Sequence, residues 1–328
     1  MPLNFAGRAS ALLLAAVVAV PLLSFARPNS QQPQEPQRPE QDQPIRVQAK
    51  LVNLFLTVRD DKKRLVPDLT REQLRVFEEG DEQKIEFFRR EVNLPITLGL
   101  LIDTSISELR TLPAEQEAAN RFLRRILRPK DLAMVITFDV DVDLLSDFTS
   151  DLDRLERAVN RAKVNSPGTM INPGPFPPHL RGGGTNLYDA IYLACTEKLA
   201  REAGRKALVV ITDAYDSGSK ISDKKAVEVC QRADTVIHFI LIADPEYPRD
   251  PGTARKFAGE TGGRVMEPRN EEKLEEAFDQ IAEELRSQYI IGYTPPSDGE
   301  GGFRKVKVES TRKGMKILTR KGYYAPEG

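Results

Sequence analysis

Four short apolar runs, each rich in branched residues, constrain the fold of this chain more than any other feature. They read ITLGLLI from residue 96, LAMVITF from 132, ALVVIT from 207 and VIHFILIA from 236. Their apolar residues are continuous, which predicts strands buried on both faces, as in a parallel sheet. Helical patterns separate them. We therefore predict an α/β, doubly wound, mostly parallel sheet between residues 95 and 286.

Two further predictions concern an edge hairpin and a histidine in this region. The segment FDVDVDLLSDFTS, which starts at residue 138, is predicted to form an antiparallel hairpin at one edge of the sheet. Its alternating Asp139, Asp141 and Asp143 are interpreted as the exposed face of that hairpin, with a calcium site as the alternative. His238 lies inside the fourth apolar run and is expected to be a core residue whose hydrogen bonds are satisfied.

Both flanks of this region read as β structure. Residues 45–94 alternate between apolar and polar positions, and Glu79-Gly80-Asp81 supplies a hairpin turn. Residues 287–328 contain three further strand candidates. Because an isolated hairpin is rarely stable in water, we expect the C-terminal strands to pair with the N-terminal unit. The α/β domain would then be inserted in, or flanked by, a small β-rich domain.

The first 44 residues differ from the rest. Residues 1–26 hold Arg8, a long uncharged apolar stretch and the small-residue ending Ser24-Phe25-Ala26, which is the form of a secretory signal peptide. An uncleaved membrane anchor is the alternative, and Pro21 favours cleavage. Residues 27–44 are nearly all Pro, Gln, Glu and Arg, which predicts a disordered linker. The protein is expected to be exported, to the periplasm or beyond.

The overall charge limits the classes of partner, and the two cysteines are candidates for a disulfide. The chain has 48 basic and 49 acidic residues, so bulk charge does not favour nucleic acid or anionic membrane. Contact with a membrane is expected only through an uncleaved signal segment. Cys195 and Cys230 could pair after export. Two small buried residues are the favoured interpretation, and their spacing does not fit a CxxC metal site.

Oxygen-bearing side chains follow three predicted strands or loops at one edge of the sheet. Asp103, Ser105 and Ser107 come after the first run, Thr185 follows a glycine-rich loop, and Asp213 ends the third run. Ligands of open α/β sheets bind beyond the carboxyl ends of the strands. Carboxylate and hydroxyl oxygens suit a hard divalent cation. Asp and Ser also cap helices at such turns, so three oxygens alone would not establish a site.

This order of residues resembles the von Willebrand factor type A domain with its metal-ion-dependent adhesion site. That motif is Asp-x-Ser-x-Ser, a later Thr and a later Asp, which match Asp103, Ser105, Ser107, Thr185 and Asp213. The resemblance covers about residues 94–286. The flanking β segments resemble a branch of this family that is typical of Acidobacteria, which extends the resemblance to about residues 45–326.

The resemblance implies binding without catalysis. The two serines and the threonine would contact the ion directly, while the two aspartates would often act through water. A partner protein would complete the coordination with an Asp or Glu carboxylate. The ion is expected to be Mg²⁺, with Mn²⁺ or Ca²⁺ as alternatives. The function implied is a metal-dependent adhesion or assembly module.

A long loop before Thr185 departs from the family pattern. It reads VNSPGTMINPGPFPPHLRGGG and offers Phe176, His179 and Arg181 as candidate partner contacts, with a solvated surface loop as the equal alternative. Asp216 is either a support of the metal site or an ordinary turn acid.

Two other classes of function remain open at this stage. A metal-dependent hydrolase is one, but the chain has only two histidines and no phosphate-binding loop ending in GK[ST]. A metal-free structural scaffold of an envelope complex is the other. The oligomeric state is not predicted.

Overall fold

The computed structural model describes residues 51–164, 184–242, 244–296 and 301–325. The predicted signal peptide and linker lie outside these residues. Within the described ranges, no helix combines the length and apolar character that a membrane crossing requires.

The described chain contains strands and helices at the following positions. The strands are β1 (Val52–Arg59), β2 (Leu74–Glu78), β3 (Asp81–Gln83), β4 (Phe87–Glu91), β5 (Ile96–Asp103), β6 (Leu132–Phe138), β7 (Val142–Thr149), β8 (Arg205–Thr212), β9 (Thr235–Leu241), β10 (Val265–Met266), β11 (Gln288–Tyr293), β12 (Gly302–Ser310), β13 (Lys316–Leu318) and β14 (Gly322–Ala325). The helices are α1 (Leu112–Ile126), α2 (Leu152–Val159), α3 (Leu187–Leu193), α4 (Asp223–Arg232), α5 (Pro251–Thr261) and α6 (Glu271–Arg286).

The central sheet has the strand order β10-β9-β8-β5-β6-β7. All neighbours run parallel except β7, which pairs antiparallel with β6 at the edge. The α/β fold class and the edge hairpin are therefore confirmed. Every residue of β5 is buried, because this central strand is covered on both faces. Gly99 has no room for a side chain there, since a Cβ would collide with Leu208 and Met134.

Two apolar clusters cover the two faces of this sheet. Helices α1, α2 and α6 pack on one face, where the rings of Phe122 and Phe278 lie 4.9 Å apart. Helices α3, α4 and α5 pack on the other face. There Cys195, just after α3, and Cys230 of α4 form a disulfide with their Cα atoms 5.3 Å apart. The expectation of two unpaired buried cysteines is wrong, because neighbouring helices bring both side chains to one point under the same face.

The remaining strands form a sandwich of two antiparallel sheets. Their orders are β13-β1-β11-β4 and β14-β12-β2-β3. Strand β11 lies between β1 and β4, and β12 pairs with β2, so strands from both ends of the chain share each sheet. Apolar side chains of both sheets form one core. The buried Glu78 carboxylate accepts hydrogen bonds from Tyr293 at 2.7 Å and Tyr323 at 3.2 Å.

A buried ionic cluster joins this sandwich to the last helix of the α/β domain. Glu284 of α6 pairs with both Arg59 of β1 and Arg264. His238 of β9 lies close enough for these charges to act on it, and burial lowers its pKa to about 4. Neither ring nitrogen of His238 has a hydrogen-bond partner among the described residues. His238 is therefore a core residue, as expected, but it is not satisfied.

Candidate metal centre

The end of β5 supplies the first part of the site. Asp103 is the last residue of the strand and is fully buried. Its Oδ1 accepts a hydrogen bond from the Ser105 backbone at 2.9 Å, which turns the chain back over the carboxylate. The Ser105 and Ser107 hydroxyl oxygens then lie 2.9 Å apart. Three of the predicted side chains thus converge within one short loop.

The end of β8 supplies the second part. Strands β5 and β8 are parallel neighbours, so their carboxyl ends meet at one edge of the sheet. The Thr212 hydroxyl donates to Asp103 Oδ2 at 2.6 Å, which fixes the orientation of that carboxylate. One carboxylate oxygen of Asp213 lies within 4.8 Å of one from Asp103. The structure therefore places Asp213 beside Asp103.

Thr185 is tied to the loop that follows Asp213. Its backbone N–H donates to Ser217 Oγ at 3.0 Å, and its carbonyl accepts from the backbone of Ser217 at 3.1 Å. The next residue, Asn186, donates to the carbonyl of Asp139 at 2.7 Å. These bonds hold the segment before α3 against the loops after β6 and β8. Thr185 is thereby positioned through its backbone at the same edge of the sheet.

Two acidic residues near the site have structural partners. Asp139 is buried and accepts a hydrogen bond from the Thr104 hydroxyl at 3.0 Å and one from the Asp141 backbone at 3.0 Å. The prediction that Asp139 lies on an exposed hairpin face is wrong, because the loop folds its carboxylate inward; Asp141 and Asp143 are exposed. Asp216 accepts from the Tyr188 backbone at 3.1 Å, at the start of α3.

Glu108 is the residue that the motif did not reveal. It directly follows Ser107, is fully buried, and places one oxygen within 4.8 Å of those of Asp103 and Asp213. Its sequence position reads as an acid before a helix, where a solvated carboxylate is common. Glu115 of α1 is also fully buried. Only its position on the same face of α1 as the apolar residues could have indicated that Glu115 is buried.

Burial raises the pKa of several of these carboxyl groups. Burial is the main cause for Asp103, whose pKa rises to about 7, and the nearby Asp213 carboxylate adds to it. Burial also raises the pKa of Asp213, of Glu108 and of Glu115, and for Glu108 the charges of Glu115 and Asp103 add to the effect. Four crowded carboxyl groups in a low-dielectric site disfavour negative charge unless a cation is present.

The residues present fit a divalent cation. Two hydroxyls and three carboxylates offer oxygen ligands within a few ångströms of one another. Glu108 Oε1 is buried, and no donor group among the described residues hydrogen-bonds to it. A bound cation would offset the cost of burying this oxygen.

Exposed apolar side chains lie in the loops that form this centre and in a loop bonded to them. Leu109 is 54% exposed and follows Glu108 directly, while Tyr215 is 51% exposed in the loop after Asp213. Tyr247 is also exposed, and its loop is bonded to the site through the Asp244 backbone, which donates to the Ser107 carbonyl at 3.0 Å. The predicted partner contacts Phe176, His179 and Arg181 lie outside the described residues.

Comparison with known proteins identifies a family for this region. The von Willebrand factor type A domain family matches residues 98–216, a range that includes all five predicted ligands. No curated protein matches the chain significantly.

Several solved structures have a similar fold. A von Willebrand factor type A protein from Catenulispora acidiphila is 14% identical, with 76% of this chain and 75% of that chain covered and a TM-score of 0.49. The vWF domain of the type V pili tip protein Mfa5 from Porphyromonas gingivalis is 12% identical, with coverages of 58% and 95% and a TM-score of 0.45. The PilB minor pilin from Streptococcus sanguinis is 12% identical, with coverages of 59% and 62% and a TM-score of 0.42.

Proposed function

The chain contains a von Willebrand factor type A domain, and from this premise we propose that it is an exported, non-enzymatic module that binds a protein partner through a divalent cation. The observation that carries the proposal is the convergence of side-chain oxygens at the ends of β5 and β8. The residues that would hold the ion are Asp103, Ser105, Ser107, Thr185 and Asp213. Mg²⁺ is the ion proposed, and Mn²⁺ and Ca²⁺ share its preference for oxygen.

The residues of this centre would have different roles in binding the ion. The hydroxyls of Ser105, Ser107 and Thr185 would bind without adding negative charge. Asp103 is held in place by Thr212 and the Ser105 backbone, so its carboxylate needs little reorganisation. When bound, the ion would supply a positive charge that attracts an Asp or Glu carboxylate from a partner protein.

The surroundings of the centre favour a protein as the partner. Leu109, which follows Glu108, and Tyr215, two residues after Asp213, are each about half exposed. Large exposed apolar side chains beside a charged centre are typical of protein-binding surfaces, where aromatic residues are enriched and contribute strongly. The partner segment is therefore proposed to carry an acidic residue flanked by apolar ones.

Export is supported by the disulfide between Cys195 and Cys230. Disulfides persist in oxidising compartments and are rare in the cytosol. Together with the signal-like residues 1–26, the bond favours a periplasmic or secreted protein.

The two alternative functions are less well supported. A hydrolase would need a general base beside the ion; His238 is buried within β9 beside the ionic cluster of Glu284, and the carboxyl groups beside the ion, Glu108 included, fit the role of ligands. A metal-free scaffold would leave the carboxylates of Asp103, Glu108 and Asp213 buried together without a cation, which is costly.

The proposal is tested by water relaxation in the Mn²⁺-loaded protein. The probe is the acetylated, amidated tripeptide Ala-Glu-Ala, and the control is Ala-Gln-Ala with the same end groups. If a carboxylate completes the coordination, the Glu peptide displaces bound water and lowers the proton relaxivity, while the Gln peptide does not. The Asp103→Ala variant corrects for Mn²⁺ that is free in solution. Equal effects of the two peptides on the wild-type protein would refute the proposal.

Thr185→Ala gives a second test of the same site. Loss of this hydroxyl should weaken the response to the Glu peptide more than it lowers the unfolding midpoint, because the segment is anchored through its backbone. An unchanged response in this variant would exclude a direct role for Thr185.

A further inference from the structure

Glu108 lies inside the metal centre although no part of the motif requires it. Its side chain is fully buried, and one of its oxygens lies within 4.8 Å of oxygens from Asp103 and Asp213. Its Oε2 accepts a hydrogen bond from the Thr111 hydroxyl at 2.8 Å. Its Oε1 has no hydrogen-bond donor among the described residues. Thr111 thus fixes one oxygen, and the carboxyl group also contacts another carboxyl group, that of Glu115.

Glu115 is the other buried acid that contacts Glu108. It is fully buried in α1, and its carboxyl group is hydrogen-bonded to Thr111 and to Glu108. Glu115 is not among the three carboxylates that approach one another within 4.8 Å, so it is not a candidate ligand. Its contact adds to the negative charge that a cation bound by Glu108 would offset.

The adjacent basic side chain does not neutralise these carboxylates. Arg110 is two residues from Glu108, but its guanidinium is largely exposed and pairs with Asp244 at 3.0 Å and with Glu246 at 3.4 Å. It is therefore directed away from the buried pair. The hydroxyls of Ser105 and Ser107 carry no charge.

We infer that Glu108 is a direct ligand of the divalent cation, an inference that rests on the proposed function. Asp103, Glu108 and Asp213 would then surround a doubly charged ion with three carboxylates, which leaves one net negative charge at the centre. Such a centre attracts a partner's carboxylate less strongly than one with two. Glu108 therefore lowers the affinity of the centre for a partner's carboxylate, which would enter at a coordination position held by water.

The test combines Mg²⁺ titration calorimetry with thermal unfolding of Glu108→Gln. The substitution keeps the shape of the side chain and an oxygen for Thr111, but removes the charge. Mg²⁺ affinity should fall about tenfold or more, in line with the loss of a carboxylate from a metal site. In chelator the variant should unfold at a higher temperature than the wild type, since a carboxyl group that folding buries beside two others is replaced by a neutral amide. In saturating Mg²⁺ that order should reverse.

Controls separate this inference from the proposal on which it rests. Glu117→Gln removes an exposed carboxylate from α1, the helix that follows Glu108, and should leave Mg²⁺ affinity unchanged. If the wild type binds Mg²⁺, Asp103→Ala does not, and Glu108→Gln binds as tightly as the wild type, only the role of Glu108 is refuted. If the wild type does not bind the ion even with the Glu peptide added, both are refuted. Glu108→Ala is the second variant should Glu108→Gln fail to fold.

Discussion

Removing the disulfide between Cys195 and Cys230 should destabilise the protein by a predictable amount. The bond closes a loop with a sequence separation of 35 residues, between the end of α3 and α4. It restricts the unfolded chain, so the double substitution Cys195→Ala and Cys230→Ala frees that chain without removing a charge or a strand. Both sulfur atoms are buried in the same apolar cluster, so a small packing loss adds to the effect.

The magnitude follows from loop-closure entropy. A loop of this length gives roughly 13 cal/mol/K, which is about 4 kcal/mol at room temperature. Urea unfolding of the double variant should therefore show a free energy of unfolding lower by about 4 kcal/mol. Its m-value should be larger than that of the wild type, because an unfolded chain without the bond exposes more surface.

Two controls make this prediction refutable. Wild-type protein unfolded with a strong reductant present should unfold like the double variant, whereas the variant should not respond to reductant. Thiol titration of the wild type in denaturant without reductant should detect no reactive cysteine. Two reactive thiols would contradict both the bond and its use as support for export. A stability difference below about 1 kcal/mol would contradict the magnitude derived from loop closure.

Two further predictions concern the junction between the sandwich and α6. Glu284→Ala should lower the free energy of unfolding by about 3–5 kcal/mol, because it leaves the buried Arg59 and the partly buried Arg264 without their shared partner. Urea unfolding measures this, and the exposed neighbour Glu283→Ala should cost below about 1 kcal/mol. His238 has its pKa lowered to about 4 from an ordinary 6.5, so the folded state binds its proton less readily than the unfolded state. The contribution of this pKa difference to the free energy of unfolding is complete above pH 6.5 and is lost as pH falls towards 4. Wild type should therefore lose up to about 3 kcal/mol more than His238→Leu over that range, and parallel pH profiles would contradict the assignment.

The central sheet was predictable because strands that are buried on both faces have continuous apolar sequences. Strands β5 and β8 are covered by helices on each side, so their residues are apolar without alternation. The hairpin of β6 and β7 was predictable for the related reason that an edge strand keeps polar residues on one face. The convergence of Asp103 and Asp213 follows from the parallel order of β5 and β8, which places both strand ends at one edge.

What the sequence did not reveal depends on contacts between distant segments. Glu108 and Glu115 are buried because α1 packs against the sheet, and an acid at the start of a helix looks the same when it is solvated. The pairing of Cys195 with Cys230 depends on how α3 and α4 lie side by side. In the sequence, His238 looks like any core histidine. The structure adds that neither of its ring nitrogens has a hydrogen-bond partner among the described residues.

The central claim is that Asp103 and its neighbours bind a divalent cation, and calorimetric titration with Mg²⁺ tests it most directly. The protein from residue 27 to residue 328 is titrated beside Asp103→Ala, with circular dichroism to verify that both are folded. We predict saturable binding of one ion by the wild type and none by the variant. Equal affinity in the two proteins, or no binding by the wild type even with the Glu peptide added, would contradict it.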